Sequence, residues 1–483
     1  MGAASLWNWR LREAAKALSF TDAIYLYLSM LRSGASPDAF TFPFVLKSCA
    51  SLILPLTGSQ IHSNSLKLGC HLDPFVHTAM ITCYWRCGML YNARKVFDEY
   101  NSILKLKISY NAMISGLSRN AMAYDATQLL REMLGFSIAI DEITVLGISP
   151  VLNNPGNPSL GSFVYSLCLK LGLDSFPAVA NSFLTMYMKN GDFTSARKLF
   201  DEMPQRQLIS WNAMINGYSQ NGLAHDALQL YQKMKANSVN ADAMTLVGVI
   251  SSCANLGARS LINELEEDAK AYKGNPFITA GLINMHSRCG DLARAREIFK
   301  ESEGTTLVSC TAMMSAYGAH GEGESAAKVF DEMMEEGVRP DEAAFLCVLS
   351  ACSHSGLIAK AFEVVEKMER KYKMEVGAEH LSCIVDMLGR AGKVEEGVEV
   401  IERMKGKADG AVWGALLNAC RLYGNVGVAE MAFDRAVEID PGNEGYYALL
   451  GSLYRESGDK EGVKRVEALM RDRKLFKGIG CSY

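Results

Sequence analysis

The chain has 483 residues, 49% of them hydrophobic, with a mean hydropathy of +0.04, a net charge of −4 and a pI near 6.1. No apolar run reaches the ~18–20 residues that span a bilayer, and an acidic total is the wrong sign for a protein held on nucleic acid mainly by phosphate contacts. The thirteen cysteines, odd in number and without a C-x-x-C, make neither a disulfide framework nor a zinc knuckle.

Charge is uneven along the chain. Residues 1–242 hold 20 Lys and Arg against 16 Asp and Glu, and residues 243–483 hold 29 against 37. A nucleic-acid partner would have to be gripped by local cations and by its bases. Cys83 and Cys87, four apart on a predicted helix, read as core packing in the absence of His partners. The opening residues contain no secretory segment, and Arg10, Arg12 and Lys16 already belong to the periodic part. A separate transit peptide is therefore expected to be absent or to lie upstream of Met1.

Taken in order, the chain repeats itself. Residues 4–38 carry Trp7-Asn8 early, Ala23 in the second half, and close on Pro37-Asp38. Residues 39–73 follow, with helices predicted around Phe44–Ala50 and Gly58–Leu68, and then 74–106 with HTAMITCYWRCGMLYNARKVFDE. The long segment returns at 107–141 with Tyr110-Asn111, at 208–242 with Trp211-Asn212, and at 307–341 with Thr311 and Pro340-Asp341. In 208–242, Trp211, Met214, Ile215 and Tyr218 fall at i, i+3, i+4 and i+7, and Ala227, Leu230, Tyr231 and Met234 repeat the pattern. This predicts two short amphipathic helices turning at Gly222. A hairpin so small cannot bury its own face and needs neighbours of its own kind.

Between the long segments lie 142–176 and 177–207, then 243–275 and 276–306, then 342–377 and 378–409. Each short segment has a turn glycine (Gly88, Gly191, Gly290, Gly392), followed five residues later by Ala93, Ala196, Ala295 or Gly397, where two helices must approach closely. The expected organisation is four triplets, 4–106, 107–207, 208–306 and 307–409, followed by helix pairs at 410–445 and 446–483. The expected fold is all-α, a right-handed α-solenoid superhelix of about fourteen helix-turn-helix hairpins.

The segments SWNAMINGYSQNG (210–222), ARKVFDE (93–99), ARKLFDEMP (196–204), VLSACSHSGL (348–357) and DMLGRAGKVEEG (386–397) carry a resemblance that covers essentially the whole chain. With them it resembles the plant pentatricopeptide repeat family, PLS subclass. Residues 410–445 and 446–483, with Asp440-Pro441-Gly-Asn and Tyr446-Tyr-Ala-Leu-Leu, look like the E1 and E2 motifs of its E-type members. The chain stops just after Gly480-Cys481-Ser482, where longer members continue.

Two positions of the long segments could touch a base. The fifth residue is Asn8, Asn111, Asn212 and Thr311; the last is Asp38, Asp141, Asp242 and Asp341. An amide or hydroxyl can bond the Watson–Crick edge of an unstacked base, with the carboxylate orienting it. Equally, Asp before a helix is a good N-cap and Asn at a helix start is ordinary. The resemblance favours the first reading, because these positions carry the family's one-repeat-one-base code. It implies uridine at the first three long segments and guanosine at the fourth, three repeats apart.

In the short segments the resemblance implies a pyrimidine at Asn181 with Gln207 and guanosine at Ser382 with Asp409. Thr78 with Leu106 and Ala280 with Thr306 depart from the code and leave their bases undetermined. Pro43, Leu146, Val247 and Leu346 occupy the fifth position of the middle segments, which read as spacers or protein-binding surfaces. Ile108, Ile209 and Val308, at the second position, are either apolar walls between which bases sit or simple packing. The stretch Arg471-Asp-Arg473-Lys474-Leu-Phe-Lys477 is either an RNA contact or a solvated helix end.

No catalytic, metal or cofactor site is expected. The single H-x-E, His320-Gly321-Glu322, falls in a predicted inter-helix turn with no Pro-Cys-x-x-Cys after it, unlike the zinc deaminases some relatives carry. Phosphate-loop, nucleophile-elbow and H-E-x-x-H patterns are missing from the sequence. The resemblance implies a sequence-specific single-stranded RNA-binding protein that selects an organellar site for cytidine-to-uridine editing. It would recruit a deaminase-bearing pentatricopeptide protein and small editing-factor proteins in trans, in the mitochondrion or alternatively the chloroplast. The rival expectations are transcript stabilisation or splicing and, from another class, a protein-binding scaffold of tetratricopeptide type.

Overall fold

The computed structural model describes residues 3–101, 106–154, 158–302, 304–403, 408–473 and 475. Among them are 28 α-helices, a few short 3-10 or π turns and no strand. Lys474, Phe476, Lys477 and Gly480-Cys481-Ser482 lie outside the described residues.

Contacts divide the chain into two units, residues 1–221 and 222–483, and the division falls at the turn inside the third long segment. In the first unit seven helices open hairpins, from Ala3–Lys16 through Lys107–Arg119 to Leu208–Gln220. The second unit begins with the return helix Ala224–Ala236, and seven more opening helices run from Ala243–Leu256 to Glu444–Glu456. Within each unit the packing rule is the same. An opening helix packs on the next opening helix, and a return helix packs on its own opener and on the one that follows. Each unit is thus an α-solenoid in which every repeat is completed by its neighbour.

The apolar periodicity decides which side faces the stack. Trp211, Met214, Ile215 and Tyr218 are buried in the first unit, as are Ala227, Leu230, Tyr231 and Met234 in the second. Gly88, Gly191, Gly290 and Gly392 all have φ between 74° and 87°, the left-handed turn that a side chain resists. Ala93, Ala196 and Ala295 are fully buried, and a Cβ on Gly397 would stand 3.3 Å from the Leu416 side chain.

Two predicted helices begin earlier than their apolar pattern suggested. The segment 39–73 forms Thr41–Leu52, not 44–50, because the Asp38 carboxylate accepts from the backbone N–H groups of Phe40 and Thr41. Its return helix is Pro55–Lys67, not 58–68, with Pro55 at the first turn where its missing N–H costs nothing. Two middle segments depart from regular hairpins. The return helix Ile262–Ala269 is only eight residues long and flanked by 3-10 turns, and Ile358–Glu366 passes into a π turn at Lys367–Lys371.

Candidate functional site

The last residue of the second, third and fourth long segments is the N-cap of the next opening helix, and Asp38, two residues before Phe40, accepts from the Thr41 N–H in the same manner. Asp141 caps Glu142–Leu152, Asp242 caps Ala243–Leu256 and Asp341 caps Glu342–Ser355, each accepting from the backbone N–H three residues on. Asp409 caps Gly410–Tyr423 in the same way. The capping alternative is therefore correct for these carboxylates. In the first unit it is half of the account.

At the first long segment, Asn8 Nδ2 donates to Asp38 Oδ1 at 2.9 Å and Oδ2 at 3.0 Å, across thirty residues of sequence. At the second, Asn111 Nδ2 donates to Asp141 Oδ1 at 3.0 Å. A carboxylate only accepts, so the amide nitrogen must face it and the amide oxygen must face away. That oxygen is met by a hydroxyl. Thr41 donates to Asn8 Oδ1 at 2.7 Å and Thr144 donates to Asn111 Oδ1 at 2.7 Å. Each threonine hydroxyl also accepts from the N–H of the capping Asp, at 3.1 Å in both places. Cap and side-chain pair are thus one network.

The second network adds a cation. Lys107 Nζ stands 2.9 Å from Asp141 Oδ2. Burial alone would raise the Asp141 carboxyl, but its hydrogen bonds to Lys107, Thr144 and Asn111 together hold it below the usual carboxylate range. Asn111 is also the more buried amide, 5% exposed, whereas Asn8 is half-buried.

The Thr positions are built differently. Thr311 Oγ1 donates to the Leu307 carbonyl at 2.7 Å, one turn back on its own helix, and Thr78 Oγ1 donates to the Pro74 carbonyl at 2.7 Å. With its proton committed, such a hydroxyl offers lone pairs alone. Asn181 is 8% exposed with an Oδ1 that has no partner among the described residues, Ser382 is half-buried on Ala378–Arg390, and Asn212 is half-buried on the last helix of the first unit. Among the described residues no group of three His, Cys, Asp or Glu could hold a metal ion. His320 Nδ1 bonds the Ala316 carbonyl and Glu322 pairs with Arg296, so that H-x-E is turn structure. Arg473 Nη1 donates to Tyr447 Oη at 2.5 Å, which ties the end of Lys460–Asp472 to the preceding helix.

The sequence pattern picked out three second-position residues and missed most of the ladder. Ile209 is 63% exposed and Ile108 38%, while Val308 is half-buried. In the same register Phe40, Phe75 and Ile143 of the first unit and Met244 and Phe277 of the second are 61–74% exposed. Phe40 stands just before its opening helix and the others sit in the first turn of theirs, each about one turn from the fifth-position side chain. Large apolar groups in the first turn, where charges belong, are the signal that would have found them.

Comparison with known proteins gives the chain its company. The PPR repeat family model matches residues 207–255 and 305–354, the PPR repeat model matches five segments from 75–102 to 380–407, and the E motif model matches 423–483. A mitochondrial pentatricopeptide repeat-containing protein of Arabidopsis thaliana is 49% identical over the whole chain, which spans 78% of that relative. A chloroplastic one from the same plant is 32% identical over 99% of the chain and 69% of the relative. In fold, the chain matches the maize pentatricopeptide repeat protein PPR10, with a TM-score of 0.65 over 98% of this chain and 74% of that one. The match is 0.70, over 97% and 70%, with PPR10 in complex with an 18-nucleotide psaJ RNA element. Both structures are 18% identical to it.

Proposed function

This chain belongs to the pentatricopeptide repeat family, and on that premise we propose that it is a sequence-specific single-stranded RNA-binding protein that marks organellar cytidines for editing to uridine. The carrying observation is the pair of oriented amides, Asn8 on Asp38 and Asn111 on Asp141, at the start of opening helices. An amide held on one side by a carboxylate keeps a second N–H and a second lone pair for a base edge. Uracil supplies a matching carbonyl oxygen and N3–H. Thr311, whose proton is spent on its own helix, accepts from the N1–H and amino group of guanine. Asn212, Asp242 and Asp341 take the corresponding parts in the third and fourth long segments, and Asn181, Thr78, Ser382 and Asp409 line the short ones.

The exposed second-position groups supply the apolar surfaces that bases need once unstacked. This grip suits a chain whose net charge is negative. The E motif match at 423–483 supports the editing role, in which the C-terminal region recruits a deaminase-bearing pentatricopeptide protein and the middle repeats take small editing-factor proteins. The relatives' labels support a mitochondrial address, with the chloroplast as the alternative.

The test is selection of random single-stranded RNA by the purified chain, with sequencing of the bound pool. Uridine at three positions spaced by three, followed by guanosine three further on, is the expected result. A pool without base enrichment overturns it.

A further inference from the structure

The hydroxyl that meets each oriented amide comes from the next repeat, at its third residue. We infer that this residue is a third member of the base reader: it fixes which end of the amide faces which atom of the base. The inference rests on the RNA-reading proposal and names a positioning residue that neither the fifth nor the last position contains.

The argument starts from the bond pattern. Thr41 and Thr144 are fully buried, and their hydroxyls lie nearer the amide oxygen, at 2.7 Å, than the capping carboxylate, at 3.1 and 2.9 Å. A hydroxyl has one proton, and the shorter contact takes it. The amide is then pinned at both ends, nitrogen to Asp and oxygen to Thr.

Direction is what separates the two pyrimidines. At N3 and its neighbouring position 4, uracil presents a donor and then an acceptor, and cytosine presents an acceptor and then a donor. An amide turned one way reads the first order, and the same amide flipped reads the second. Pinning the oxygen therefore favours uracil over cytosine.

The sequence follows the same logic. The third residue is a threonine after each of the long segments whose fifth residue is Asn, namely Thr41, Thr144 and Thr245. Where the fifth residue is Thr311 or Ser382 and the last is Asp, the third residue of the next segment is Ala344 or Val412, which have no hydroxyl. Asn181 provides the control. Its segment ends in Gln207 in place of Asp, and although Ser210 stands in the third position, Asn181 Oδ1 and Ser210 Oγ are both buried and unpartnered among the described residues. Without the carboxylate, amide and hydroxyl are not drawn together.

The experiment is random-pool RNA selection with the full chain and four variants, read as the ratio of uridine to cytidine at each nucleotide, alongside thermal melting. Thr144→Val should lower that ratio about two- to tenfold, the size of one neutral hydrogen bond, only at the nucleotide under Asn111. Thr144→Ser should restore it. Thr311→Asn should turn the fourth position toward pyrimidines, and Thr311→Asn with Ala344→Thr should favour uridine over cytidine there by a further two- to tenfold. An unchanged ratio under Asn111 in Thr144→Val, or an equal fall at every nucleotide, overturns the inference, as does a double variant no better than Thr311→Asn. A wild-type pool with no enrichment instead removes the RNA reading itself, and this inference with it.

Discussion

The Asn positions and the Thr positions occupy the same place in the repeat and solve different problems. Asn8 and Asn111 are linked to the Asp that ends their own repeat and, across the repeat boundary, to a threonine. Among the described residues, the Thr78 and Thr311 hydroxyls bond only the carbonyl one turn behind them. Yet Asp341 caps its helix as Asp141 does. The Asp is thus a cap first, and the choice between Asn and Thr decides whether it also becomes part of a side-chain network.

That comparison can be broken most directly at Asp141. Asp141→Ala removes the cap and leaves Asn111 and Lys107 without their partner, so it should lower stability by about 2 kcal/mol and erase base preference under Asn111, checked by denaturant melts and RNA selection. The pH dependence has a fixed sign. A carboxyl held below its ordinary value stabilises the fold above about pH 4 and loses that contribution as pH falls through the lowered value. Wild type and Asp141→Asn should therefore differ at pH 7 and converge in acid.

A second variant asks whether the Thr positions are gripped by apolar surface instead. Phe75 is 71% exposed and shares its helix with Thr78. Phe75→Ala should weaken RNA binding by about 1–2 kcal/mol with melting unchanged, measured by titration with a selected RNA. Unaltered affinity would make Phe75 a bystander.

The next effect is smaller. Asp341→Ala removes a cap and no threonine bond, and should cost about 1 kcal/mol in stability. A loss as large as that of Asp141→Ala would mean that the two classes are alike after all. The smallest is Thr311→Val, which should alter stability by under ~0.5 kcal/mol while abolishing guanosine enrichment at the fourth long repeat.

Much of this is legible in the sequence. The i, i+3, i+4, i+7 faces of 208–242 name buried residues correctly, because packing against identical neighbours leaves one face to bury. The turn glycines announce themselves, since few other residues take φ near 75°. Asp at the segment end could be read as a cap or as a partner of Asn. What a linear pattern cannot display is that one carboxylate does both, because the partners lie thirty residues apart and meet only once two hairpins stack. The roles of Thr41 and Thr144 were hidden for the same reason. The helix starts at Thr41 and Pro55 were missed because a cap and a proline, not apolar spacing, decide them.

The threonine contact also changes what counts as a module. A structural repeat is cut just after the capping Asp, but the group of residues around Asn111 runs three residues further, to Thr144. Anyone grafting one repeat into another array should splice between Thr144 and Val145, carrying the first three residues of the following helix with the insert. A cassette ending at Asp141 would arrive with its amide aimed by whatever residue the host happens to supply.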